Sequence, residues 1–205
     1  TPKEVLYEGS REIQLPQAEQ PMESYYVYGP DGEVTILSTA GEAISLAYEI
    51  SGTVTGESGA YVWRKDKINT KNQIMAIEAS PVTEDKNSLA VCLDTILAYE
   101  GIMRNSEYML TQGKTVQEVL QENLENVQVL DLSGCTLDSV LYYPDREIPV
   151  LAMLGDGNAV LIIGFNEKNV VLMNPETDKV YKMGMNDAAD WFTENGCHFI
   201  SYVKK

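Results

Sequence analysis

The chain has 205 residues, enough for one large domain or for a small unit joined to a larger one, and its patterning favours the second division. A formal net charge of −16 argues against nucleic acid and anionic membranes as partners, because such a surface repels phosphates, and it leaves peptides, sugars, cations and other proteins. No stretch approaches the roughly 18 to 20 apolar residues of a membrane span.

The first residue is Thr1 and no signal-peptide pattern follows. A removed secretory signal or anchor is therefore expected, and with it an extracellular or cell-surface location. Residues 1–23 are polar and rich in Pro and Gln without a sustained period, so they read as an extended lead-in. From Ser24 the pattern sharpens. Residues 24–28 and 33–37 are strand-like runs around the turn Gly29-Pro30-Asp31-Gly32. Thr39 and Glu42 form a capping-box pair, Ala43, Ile44, Ala47 and Ile50 share one helical face, and Gly52 is read as the stop. Strand-like runs at 53–55 and 60–63 complete a small ββαββ unit, assigned to residues 24–66, with a larger unit over 67–205.

In the larger unit the run Ile74 to Ile77 is apolar, and 87–101 is dense enough in apolar residues for a buried helix ending at Gly101. Thr115 with Glu118 predicts a second cap and an amphipathic helix to Leu124. A strand over 127–132 and a short helix over 136–143 follow. Residues 148–175 then show three β-branched runs separated by Gly155-Asp156-Gly157 and by residues 166–169, which predicts three consecutive antiparallel strands. The middle run, Ala159 to Phe165, is apolar throughout and should lie at the centre of the sheet. A strand at 180–183, a helix capped by Asn186 and a final strand over 198–203 close an α+β order.

Nucleophilic chemistry needs a base beside a thiol or hydroxyl. The single histidine, His198, follows Cys197 directly, and neighbours in a strand point to opposite faces. Cys92 reads as a small core residue. Cys135 lies at a helix start, where amide dipoles can lower a thiol pKa, although no base accompanies it. The three cysteines lack zinc-ligand spacing and allow one disulfide with one thiol left over, and the carboxylates show no Ca²⁺-loop spacing. No metal or cofactor is expected. Tyr25, Tyr26 and Tyr28 fit either a groove or plain strand alternation.

The element order of the larger unit resembles the papain-like cysteine peptidase domain that bacterial exporters use to cut double-glycine leader peptides. The residues that carry the likeness are Tyr99-Glu100-Gly101, Ile148-Pro149-Val150-Leu151-Ala152, the strand Gly157 to Phe165, Met173-Asn174-Pro175 and the closing stretch after Met183. It covers about residues 74 to 203. The resemblance implies a nucleophile position at Ser88, an oxyanion-donor position near Val82, a base position at Asn158 and an orienter position at Asn174. Only Asn174 is a residue that family accepts there. Without a titrating base and an oxyanion donor, such a site loses several kcal/mol of transition-state stabilisation, on the order of the usual single-group effects. The reading is a catalytically degenerate, secreted or surface-attached bacterial protein that binds a peptide or protein segment. Its rival is a working cysteine hydrolase that uses Cys92 or Cys135 with an atypical partner.

Overall fold

A computed structural model describes residues 23–65 and 73–205. Expectations for the lead-in before residue 23 and for residues 66–72 lie outside those residues.

The small unit holds strands β1 (Tyr25–Tyr28) and β2 (Val34–Leu37), helix α1 (Ala40–Ile50) and strands β3 (Thr53–Thr55) and β4 (Tyr61–Arg64). They form one antiparallel sheet in the order β2-β1-β3-β4. Alternation decides which tyrosines are buried: Tyr25 and Val27 face inward under α1, while Tyr26 and Tyr28 face outward. Thr39 caps α1 by accepting the Glu42 N–H at 3.2 Å. The stop differs from expectation. Ser51, with φ 57°, takes the left-handed position, and Gly52 is needed for proximity, since a Cβ there would lie 2.6 Å from the Tyr28 carbonyl oxygen.

The larger sheet follows the order β10-β9-β8-β7-β11-β6, with β5 (Gln73–Ile74) beside the far end of β8. Its strands are β6 (Val127–Asp131), β7 (Val150–Met153), β8 (Ala159–Phe165), β9 (Asn169–Asn174), β10 (Lys179–Gly184) and β11 (His198–Lys204). The three central antiparallel strands read from the sequence are β7, β8 and β9, and every residue of β8 is buried. Helix α2 (Ser88–Tyr99) packs on β8, followed by α3 (Ser106–Thr111), α4 (Val116–Asn123), α5 (Leu137–Val140) and α6 (Met185–Glu194). The sequence reading passed over α3, which Asn105 caps by accepting the Tyr108 N–H at 3.3 Å. It also misplaced the start of α6: Gly184, not Asn186, is the cap, because the Met185 N–H is taken by the Lys168 carbonyl at 2.8 Å as β10 ends.

One continuous apolar core joins the two sheets. Trp63 of β4 is fully buried and donates its indole N–H to the Ser139 carbonyl at 2.8 Å, and Tyr143 donates its hydroxyl to the Val62 carbonyl at 3.1 Å. Gly41 lies so close to the Ser133 carbonyl that a Cβ would approach it to 2.5 Å. Neither sheet buries its inner face alone.

Candidate functional site

The site lies where the start of α2 meets the start of β8. Asn87 caps α2 by accepting the Ala90 N–H at 2.9 Å, so Ser88 opens the helix with its side chain turned toward the sheet. Its hydroxyl donates to Asn158 Oδ1 at 3.2 Å and accepts the Ala159 N–H at 3.0 Å. Ser88 is 0% exposed. The hydroxyl's one proton and one of its two lone pairs are thus spent on joining α2 to β8, and the acceptor of the proton is an amide oxygen, which does not titrate near neutrality.

Asn158 is held in turn by Asp156. The carboxylate accepts the Asn158 N–H at 2.9 Å through Oδ1 and its Nδ2 amide at 3.1 Å through Oδ2. The sequence reading treated Gly155-Asp156-Gly157 as a turn only. Its legible signal was the Asx pattern, in which an aspartate bonds the backbone two residues ahead.

The β8–β9 register pairs Leu161 with Met173, so Asn174 ends β9 near the start of β8. Asn174 is nonetheless committed elsewhere. Its Oδ1 accepts the Glu176 N–H at 3.0 Å and its Nδ2 donates to the Tyr181 hydroxyl at 3.5 Å. Among the described residues it makes no hydrogen bond to Asn158. Val82 comes to the same corner through its backbone, donating to the Pro175 carbonyl at 3.3 Å, while its side chain has no group to offer an oxyanion. The structure therefore brings Ser88 and Asn158 into contact and sets Val82 beside Asn174-Pro175, without linking the two pairs by a hydrogen bond.

The thiols lie apart from this corner. Cys92 is fully buried one turn after Ser88, and burial pushes its thiol far above the ordinary range. Cys135, at a helix start that could have lowered its thiol, is pushed up to about 11, chiefly by burial; its Sγ lies 3.6 Å from the Gly41 carbonyl. All three cysteines are free, so no disulfide forms. His198 is exposed at the start of β11 opposite Met153, with its ring against the Gly196 backbone. Among the described residues no hydrogen bond joins the imidazole to any thiol.

Beside the corner, a groove of about 610 Å³ runs along the flank of α2 against residues 76–81. Ile77, Val91, Tyr99 and Ile102 give it apolar walls. The Lys86–Asp94 ion pair, 2.7 Å long, and Arg104 add charged groups to its lining. Asp94 also accepts the Ser106 N–H at 2.8 Å, which ties α3 to this wall. Among the described residues no helix is long and apolar enough to cross a membrane.

No family model matches the sequence, and no curated protein matches it. In fold the chain is similar to a C39-like peptidase from Bacillus anthracis, with a TM-score of 0.53 and 14% identity over 66% of this chain and 98% of that one. It is also similar to a double glycine motif protease from an AMS/PCAT transporter, solved in complex with the leader peptide, with a TM-score of 0.44 and 14% identity over 68% and 96% of the two chains. The fold is thus the α+β fold of the C39-like cysteine peptidases, as the sequence resemblance implies. About a third of this chain has no counterpart in the Bacillus anthracis structure.

Proposed function

We propose that this protein is a non-catalytic peptide- or protein-binding protein of the bacterial cell surface or extracellular space, built on a peptidase fold whose reaction centre has become a structural joint. The observation that carries this reading is the state of Ser88: fully buried, its proton given to an amide oxygen and a lone pair to the Ala159 N–H. A nucleophile must be reachable and must face a group that accepts its proton at neutral pH. Ser88 meets neither condition. Cys92 is as deeply buried and faces no base, which leaves the rival hydrolase without an attacking group on α2.

Peptide binding is supported by the fold and the groove. The similar structure is named as a peptidase, a class that acts on peptides, and the groove along α2 has a volume within the usual range for ligand sites. Apolar walls would take side chains, while Arg104 and the Lys86–Asp94 pair would fix polar ends.

The test is to incubate the purified chain with a peptide panel that includes double-glycine sequences and to follow cleavage by mass spectrometry and binding by calorimetry. The expected result is intact peptides, and binding that Ile102→Asp weakens about tenfold, the equivalent of about 1.4 kcal/mol. Ser88→Ala should destabilise the fold by about 1 to 3 kcal/mol, because a buried Ala159 N–H is left unpaired, and should leave peptide binding unchanged. Cleavage that disappears in Cys92→Ala or Cys135→Ala would overturn the non-catalytic reading in favour of the hydrolase.

A further inference from the structure

The sheet edges of this molecule are treated unequally. In the larger sheet, the outer edge of β6 is plugged: Gln121 of α4 donates its amide to the Val127 carbonyl at 3.0 Å and accepts the Val129 N–H at 3.0 Å, filling the positions a further strand would take. The opposite edge, β10, carries Lys179 and Lys182. In the small sheet, β4 is bent by the irregularity at Val54/Thr55 and carries Arg64, whose guanidinium lies 4.5 Å from the centre of the Tyr61 ring. Side-chain plugs, edge lysines or arginines and bulges are the usual devices that keep an edge from pairing.

Among the described residues, strand β2 has none of them. The Gly29 N–H bonds the Glu33 carbonyl at 2.9 Å, and the register pairs Val27 with Thr35 and Tyr25 with Leu37. In an antiparallel ladder residues alternate between inward and outward bonding, so the N–H and C=O groups of Val34 and Ile36 point away from β1. Those two residues also expose their side chains, at 53% and 61%. Across the strand they meet Tyr28 and Tyr26, and the four make an apolar, aromatic strip on the outer face of the sheet.

Charge identifies what this strip would accept. Between Arg11 and Arg64 the sequence contains no Lys, Arg or His and eight carboxylates, among them Asp31 and Glu33 at the end of β2. A second copy would bring the same acidic surface to the same place and be repelled. We propose that the free edge of β2 is a docking site for an extended, lysine- or arginine-bearing segment of a partner protein. That segment adds a fifth strand to the small sheet, with apolar residues over Val34 and Ile36 and its cations among the carboxylates. This surface is separate from the groove on α2 and goes beyond the reading given above.

The probe is a short blocked peptide that alternates lysine with valine or isoleucine, with the glutamate-for-lysine peptide as control, both titrated onto the full chain by fluorescence anisotropy. The lysine peptide should bind, more weakly as salt rises, and the glutamate peptide should not. Ile36→Pro removes one outward N–H without touching the ladder to β1, and should lower affinity about tenfold or more; the Val34→Lys/Ile36→Lys pair should do the same if the proline variant proves unstable. Val180→Lys on β10 should leave affinity unchanged. Equal binding of both peptides, no binding of either, or affinity indifferent to the β2 variants would overturn the proposal. So would sedimentation showing that the chain pairs with itself through this edge.

Discussion

The two sheets are built from similar residues and differ in how completely they are covered. Strand β8 of the larger sheet is apolar at each position and buried at each position, with neighbours on both edges and α2 packed against it. Strand β1 of the small sheet alternates, with Tyr25 and Val27 in the core and Tyr28 exposed. A strand with both faces and both edges occupied has nothing left to bind with, whereas a sheet covered on one face keeps a surface and, at its last strand, an edge. The difference places structural work at the centre of the larger sheet and leaves the outer face and edge of the small one available. The small sheet is nevertheless held firmly, because its inner face shares one core with the larger.

That dependence is the first thing to break. Trp63 is fully buried at the junction, and its indole N–H serves the Ser139 carbonyl. Trp63→Ala should cost about 3 to 5 kcal/mol, the usual range for emptying a large aromatic site. Because the core is continuous, chemical denaturation followed by tryptophan fluorescence and by circular dichroism should show one coincident transition, shifted as a whole. Two separated transitions would mean that the small sheet is an independent unit and that the junction contributes little.

Alkaline pH should loosen the same junction, and the sign follows from Cys135. Its thiol is pushed up to about 11 by burial, above the ordinary value near 9, so the folded state favours the protonated form. A group raised in this way contributes stability that is fully present below the unfolded pKa and lost as pH rises through the folded one. The decline should therefore run from about pH 9 to about pH 11 and amount to about 2 to 3 kcal/mol for this group. Denaturation midpoints of the parent and of Cys135→Ala measured across that window check it, and the variant should show the shallower decline. Equal slopes would remove the thiol from the account.

Much of this frame was legible in the residues, for physical reasons. Caps whose partner lies three residues away, Thr39 with Glu42 and Thr115 with Glu118, are local, and both hydrogen bonds form as read. The three central strands were legible because β-branched runs and turn residues agree. What failed was set from outside the segment. Gly184 caps α6 because β10 delivers the chain there, α3 is too short to show a period, and burial of Cys135 outweighs whatever its place at a helix start could do. At the site, the placing of Ser88 beside Asn158 was readable through the family resemblance. The double use of the Ser88 hydroxyl and the hold of Asp156 on Asn158 were not, since both depend on how the loop after β7 folds back, and the commitment of Asn174 to Glu176 and Tyr181 depends on the turn into β10.

The smallest effect sharpens the comparison most. Gln121→Ala withdraws both hydrogen bonds from the β6 edge, and because water can replace them at a surface strand the loss should be only about 1 kcal/mol. The larger consequence is in behaviour. With the plug gone, Val127, Val129 and Asp131 present outward backbone groups much as Val34 and Ile36 do on β2, so the molecule acquires a second bare edge. Amide exchange at Val129 should quicken in the variant, and any strand-like peptide held by β2 should gain a second, weaker site that the parent lacks. If Val129 exchanges at an unchanged rate, the edge is protected by α4 as a whole rather than by one side chain. The contrast between a plugged edge and an open one would then rest on helix coverage instead of on Gln121.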